Sequence, residues 1–154
     1  FNLAGLKTSY VIIPDERIRE NFKKHMRKIS AGSPTILGFK ACEIAYTKCL
    51  DWLDQVIDLI DKNRRYVENY CQERIPEIKP YPMEGTYLQW LDCSSLQLNH
   101  DQLMELLWGQ AYFFATPGRT FGEGGEGFVR VNLACPTSYL ESALKRLDRV
   151  IRSR

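Results

Sequence analysis

The sequence predicts an α/β chain in which a long helix precedes a small domain of order β-α-β-β-α. Three observations lead there. Apolar residues recur at helical spacing from about Glu43 to Gln72, well beyond the length of an ordinary helix. After Pro76 the pattern changes to short strand-like runs at 86–92, 112–116 and 127–134, each bounded by Gly, Pro or Asp. The last segment is amphipathic, with Leu140, Ala143, Leu144, Leu147, Val150 and Ile151 on one stripe.

Taken in order, Tyr10-Val11-Ile12-Ile13 is a β-rich run closed by Pro14 and is expected to be a buried strand. Asp15 is placed to cap a helix carrying Ile18, Phe22, Met26 and Ile29 along one side. Ala31-Gly32-Ser33-Pro34 breaks that helix, and Ser33 or Thr35 starts the next segment, through Leu37, Phe39 and Ala41. The long helix places Tyr46, Cys49, Leu50, Leu53, Val56, Ile57, Ile60, Val67 and Tyr70 on its apolar face, with Asp51, Asp54, Asp58, Asp61 and Lys62 opposite. A helix of about thirty residues reaches roughly 45 Å, enough to link two domains. Ile75-Pro76 ends it. The expected organisation is therefore 1–42 as the remnant of one domain, 43–75 as a connecting helix, and 76–154 as a small α/β domain.

In that domain, Thr86 to Asp92 is read as a strand after the Gly85 turn, with Tyr87 and Trp90 as core aromatics. Asn99 or His100 opens a helix through Leu103, Leu106 and Leu107 that ends near Gly109. Tyr112 to Thr116 is a second strand halted by Pro117-Gly118, and Gly127 to Ala134 is a third. Ser138-x-x-Glu141 forms a possible capping box for the final helix.

Composition narrows the function. With 44% hydrophobic and 26% charged residues, the chain reads as an ordinary globular one. A net charge of +2 does not point to a polyanion partner, and Lys23-Lys24-His25-Met26-Arg27-Lys28 reads as a solvated helix face rather than a nucleic-acid patch. No apolar stretch approaches the roughly 20 residues that span a bilayer. Cys42, Cys49, Cys71, Cys93 and Cys135 show no C-x-x-C spacing, and His25 and His100 are scattered, so no metal site is expected. Reduced thiols behaving as small hydrophobes, in a cytoplasmic setting, follow.

The strongest chemical candidate is Arg130. Alternation along the last strand sends Val129, Val131 and Leu133 one way and Phe128, Arg130 and Asn132 the other. A planar guanidinium on that second face is suited to bidentate binding of a carboxylate. Spacing alone leaves open a second reading, an arginine paired with a structural Asp or Glu. The Gly118-to-Gly127 run is not a phosphate loop: Glu123 and Glu126 would repel the anion, and a strand follows instead of a helix. It is read as a loop that leads into the third strand.

Phe1-Asn2-Leu3-Ala4-Gly5-Leu6 at the start and Gly127-Phe128-Val129-Arg130-Val131-Asn132-Leu133-Ala134-Cys135-Pro136 near the end together resemble the fold-type-I pyridoxal-phosphate enzymes of the class I/II aminotransferase superfamily. Phe-Asn-Leu-Ala-Gly-Leu-Lys, Tyr46-x-x-Cys49-x-x-Trp52-Leu53-Asp54 and Gly85-Thr86-Tyr87-Leu88-x-Trp90 are similar to the cystathionine β-lyase, or C–S lyase, branch of the maltose-regulon modulator type. The resemblance extends over essentially the whole chain. It implies the C-terminal part of such an enzyme, with its Schiff-base lysine expected just before Phe1, so that no catalytic lysine lies in this chain and the chain alone is inactive. It implies pyridoxal 5′-phosphate as cofactor of the intact enzyme and a β-elimination yielding a thiol, pyruvate and ammonia. By the same resemblance Arg130 grips the substrate α-carboxylate, assisted by Asn132 and Phe121. Lys7 meets the cofactor phosphate, and Asn2, with Gly5, stands beside the cofactor chiefly through its backbone. Thr8-Ser9-Tyr10 differs from the x-Gly-(Tyr/Trp) continuation usual after that position, and a solvent lysine is the other reading of Lys7. The implied partners are cystathionine or another cysteine conjugate, the N-terminal part of the same enzyme, and a second subunit in a homodimer. An aminotransferase, and a noncatalytic aminotransferase-like sensor domain of a regulator, are the alternatives.

Overall fold

A computed structural model describes residues 1–33 and 35–154. Of the expected helix break at 31–34, position 34 lies outside the described residues. The chain forms two compact units, Phe1–Asp54 and Gln55–Arg154.

The first unit holds helices α1 (Glu16–Lys28) and α2 (Ile36–Lys48) after a short 3-10 turn at Ala4–Leu6. Asp15 caps α1 by accepting a 2.8 Å bond from the Ile18 N–H, and Thr35 caps α2 through a 3.0 Å bond from the Gly38 N–H. The expected strand at Tyr10–Ile13 is not formed: these residues lie in no ladder, because the described residues of the unit offer no strand to pair with them. Their end is held instead by Arg19, whose Nη1 donates to the Ile13 and Pro14 carbonyls at 2.8 and 3.1 Å. The Phe1 ring meets Tyr46 edge-on at 5.1 Å.

The helix expected without interruption over 43–75 is divided. Helix α3 runs Leu50–Arg74, and Cys49 (φ −119°, ψ 24°) separates it from α2. The Thr47 hydroxyl donates to the Glu43 carbonyl at 2.7 Å, a local bond that competes with the helical backbone ladder next to the break. The Cys49 carbonyl accepts from the Leu53 N–H and so opens α3.

The second unit contains a four-stranded antiparallel sheet of order β1-β2-β4-β3, with β1 at Lys79–Pro80, β2 at Leu88–Asp92, β3 at Thr116–Pro117 and β4 at Phe128–Asn132. Helix α4 (His100–Met104) is capped by a reciprocal Asn99–Gln102 box and continues as a π-helical turn over Glu105–Gln110. Helix α5 spans Thr137–Arg152. The core gathers Val67, Ile75, Leu91, Leu107, Val129, Leu133, Leu144 and Leu147 between the helices and one sheet face. Cys71 and Cys93 lie in it, and burial pushes each thiol up to about 12, whereas Cys42, Cys49 and Cys135 are only half-buried.

Two further expectations change. The strand at 112–116 shrinks to its last residue, because Tyr112 adopts φ +50° and Arg146 draws in the Ala111 and Tyr112 carbonyls at 3.0 Å each. The Ser138–Glu141 box is not used: α5 begins one residue earlier, after Pro136, without a side-chain cap. The Thr137 hydroxyl donates instead to Asn63 Oδ1 at 2.8 Å. Among the described residues, no helix is long and apolar enough to cross a membrane and no group of acidic, His and Cys side chains could hold a metal ion.

Asp148 is buried and ties α5 to α3. Burial alone pushes its carboxyl up, but bonds from Arg152 (2.5 Å), Arg74 (3.2 Å) and Tyr70 (3.2 Å) outweigh this and hold it below the ordinary carboxylate range. A depressed folded pKa contributes stability that is present above the unfolded value and lost as pH falls through the folded one. Asp148→Asn is therefore expected to lower unfolding free energy by about 2 kcal/mol at neutral pH. The difference from the parent protein should shrink in urea melts run below roughly pH 4, the ordinary aspartate range.

Candidate functional site

Arg130 sits at the centre of β4, opposite Trp90 of β2 on one side and Thr116 of β3 on the other. Alternation works as expected: Val129, Val131 and Leu133 enter the core while Arg130, half-buried, projects from the other face with Phe128 and Asn132. Trp90 shares that face. The core position expected for it goes to its neighbours Gln89 and Leu91, which are buried. Counting parity back from Leu91 would have placed Trp90 beside the arginine.

The surroundings of the guanidinium are aromatic, not acidic. Its Cζ lies 4.5 Å from the centroid of the Phe121 ring, a cation–π distance. Trp90 meets Phe121 edge-to-face at 5.3 Å and Phe128 at 6.4 Å, and Phe128 in turn meets Tyr81 at 5.7 Å. Arg130 makes no ion pair among the described residues, and its Nε is buried with no hydrogen-bond partner. The internal acidic partner that a purely structural arginine would need is not there. A buried donor without an acceptor is costly and calls for a specific reason.

Phe121 is carried by a 3-10 turn, Gly118–Phe121, braced by a 2.7 Å bond from Thr120 Oγ1 to the Pro117 carbonyl. The loop beyond it is pinched shut. A Cβ built on Gly118 would lie 2.3 Å from the Gly125 carbonyl oxygen, and one on Gly125 would lie 2.1 Å from that of Gly118. Only glycine allows the two backbones to approach in this way. Tyr81, Trp90, Phe121, Phe128 and residues 122–125 line a cleft of about 430 Å³; Phe121 is in its wall and Arg130 is not.

The other expected residues are placed as follows. Asn132 is exposed, and its Oδ1 accepts from the Ala134 N–H at 2.8 Å, so its oxygen serves the turn after β4. That turn is anchored from inside by Asn63, fully buried, whose Nδ2 donates to the Leu133 and Cys135 carbonyls at 2.8 Å each. Asn63 was read only as part of a helix; a lone amide in a helical stripe gives no hint of such partners. Asn2 and Lys7 belong to the first unit, both exposed and both left-handed, with φ of 53° and 49°. The Lys7 N–H closes the 3-10 turn on the Ala4 carbonyl, and its ammonium forms no ion pair among the described residues.

Comparison with known proteins gives these features a context. No family model matches the chain. It is 34% identical over 147 residues to cystathionine β-lyase PatB of Bacillus subtilis and 32% identical over 154 residues to the protein MalY of Escherichia coli, covering 96% and 99% of this chain but 38% and 40% of those proteins. The crystal structure of cystalysin from Treponema denticola, which contains a pyridoxal 5′-phosphate cofactor, superposes with a TM-score of 0.90 at 43% identity over 99% of this chain and 39% of that one. The chain is a relative of the cystathionine β-lyases, with the fold of the fold-type-I pyridoxal-phosphate enzymes. It spans about two fifths of the length of those lyases, and its helices and four-stranded antiparallel sheet match the C-terminal domain of fold-type-I pyridoxal-phosphate enzymes.

The glycine neck yields a direct expectation. Gly125→Ala forces the loop to open and should cost about 2 kcal/mol, as overpacking does. Gly124→Ala, with nothing within 4 Å of its Cβ, should change stability by less than about 0.5 kcal/mol. Denaturation midpoints of the two variants decide it, and equal midpoints would contradict the neck.

Proposed function

We propose that this chain is the C-terminal part of a pyridoxal-phosphate-dependent C–S β-lyase of the cystathionine β-lyase type, and that it contributes the arginine that binds the substrate α-carboxylate. The observation that supports this is the uncommitted Arg130 guanidinium on an aromatic wall. Such a group has no ion pair among the described residues, and a carboxylate would satisfy it through two parallel charge-assisted bonds. The overall reaction on this reading takes cystathionine or another cysteine conjugate to a thiol, pyruvate and ammonia.

Arg130 would act by orientation. Holding the carboxylate fixes the torsion about Cα and hence which bond is aligned for cleavage, a contribution of the kind that separates a productive from an idle complex. Phe121 and Trp90 exclude water from one side of the ion pair and so strengthen it. Asn132 shapes the turn that ends β4 and keeps its amide nitrogen available beside the site. The donors of the first unit fit a phosphate-bearing group: Lys7 offers an unpaired ammonium that would meet a phosphate, and Asn2 stands close by in sequence with a backbone already in the left-handed conformation. Pyridoxal phosphate, when bound, supplies the electron sink for the pair left at Cα. An aminotransferase would use Arg130 in the same way, and identity to the lyases favours elimination.

Residues 1–42 are proposed as the remnant of the cofactor-binding domain, 43–75 as the connecting helical region and 76–154 as the small domain. The division of the chain between Asp54 and Gln55, inside that region, supports this arrangement. The intact enzyme is proposed to be a cytoplasmic homodimer, in keeping with five unpaired cysteines.

Two measurements test the reading. In the intact enzyme Arg130→Lys should lower kcat/KM for cystathionine about 100-fold, close to 2.7 kcal/mol of lost transition-state binding; a change below about threefold would refute the anchor role. The 154-residue chain by itself, mixed with pyridoxal phosphate, should show no absorbance band of a covalent adduct. A borohydride-fixed adduct at a single lysine would contradict the absence of a cofactor-anchoring lysine here.

A further inference from the structure

We propose that Phe121 is a positioning residue: its ring, held edge-on by Trp90, sets the plane of the Arg130 guanidinium and thereby the direction from which a carboxylate can be bound. This rests on the carboxylate-anchor reading of Arg130 and goes beyond it, because it assigns the aiming of that group to a residue in a different loop.

Arginine side chains have several rotatable bonds, and a guanidinium with no hydrogen-bond partner has nothing polar to hold its orientation. The Arg130 Nε is buried without a hydrogen-bond partner, and its guanidinium makes no ion pair among the described residues. The contact suited to fixing it is the Phe121 ring, 4.5 Å from Cζ. Stacking engages the face of the guanidinium and leaves the in-plane N–H groups free, and these are the groups a carboxylate uses. The ring is itself constrained. Trp90 meets it at 77° and 5.3 Å, the 3-10 turn carries it, and the Gly118–Gly125 pinch stops that turn from swinging away. Trp90 is also the cross-strand neighbour of Arg130. Two residues on different strands and one on a loop thus form a closed set, Arg130 to Phe121, Phe121 to Trp90, and Trp90 back to Arg130. A merely apolar cover would need no edge-to-face support.

The test is a double-mutant cycle in the intact enzyme with cystathionine as substrate, and with norvaline, which has no β leaving group, and its decarboxylated counterpart n-butylamine as competitive inhibitors. Phe121 is half exposed, so Phe121→Leu is expected to fold normally. It should raise KM for cystathionine and Ki for norvaline about 10-fold, leave Ki for the amine unchanged, and be rescued by Phe121→Tyr, which keeps the ring. In an Arg130→Lys background the Phe121→Leu effect should fall below about twofold. The proposal is overturned alone if Arg130→Lys impairs carboxylate binding while Phe121→Leu keeps its full effect in that background, shifts the amine equally, or has none. If Arg130→Lys leaves carboxylate binding unmoved, the anchor reading falls and takes this one with it.

Discussion

The register between β2 and β4 is the constraint on which the site depends. Side chains alternate with a period of two, so a slip of one residue would carry Arg130 into the core and bring Val129 or Val131 out beside the aromatic residues. Two five-residue strands, paired from Leu88–Asn132 to Asp92–Phe128, hold that register. Both ends are clamped. The Gly127 carbonyl accepts from the Cys93 N–H at one end, and the Tyr87 carbonyl accepts from the Leu133 N–H at the other, each at 2.8 Å. Between the clamps Val129 and Leu91, both fully buried, make the alternative register expensive.

Buried polar groups then bind the helices to this strand pair. Asn63 satisfies both carbonyls of the turn after β4 and the Thr137 hydroxyl, using its amide from both sides. Gln89, equally buried, donates to Glu68 and to the Tyr81 carbonyl, which ties α3 to the approach of β2. Asp148 joins the far ends of α3 and α5, and Arg152 also donates to the Arg74 carbonyl that ends α3. The Asn63 and Asp148 networks are costly if left half-made, so together they favour one arrangement of helices over the sheet rather than a loose apolar collapse. The consequence for function is mechanical: the strand bearing Arg130 is anchored at its exit and its guanidinium needs no polar partner to stay in place.

Much of this was legible from residue order. The alternation around Arg130 and the amphipathic stripe of α5 are periodic, and periodic features depend on every residue in the run. The caps at Asp15 and Asn99 are local, with donor and acceptor three residues apart. What was misread depends on distant partners. Tyr10–Ile13 has strand composition but nothing to pair with in its unit. Tyr112 turns left-handed because an arginine more than thirty residues later gathers the carbonyls around it. Ser138 loses its capping role because Thr137 has a better acceptor in Asn63. Trp90 was misplaced for a different reason: its size suggested the core, although the pleat of its own strand assigned it to the other face.

The pinch at Gly118 and Gly125 has a consequence for how this region can vary. Residues 122–124 form a tip outside the point where the two backbones meet, and neither Gly122 nor Gly124 has a neighbour within reach of an added Cβ. Phe121 lies on the same side of the pinch as that tip, next to Gly122, so changes of length at the tip are felt directly by its ring. A protein built this way transmits changes at the outer few residues of the hairpin to the aromatic wall, so an inserted label there would disturb Phe121 as well.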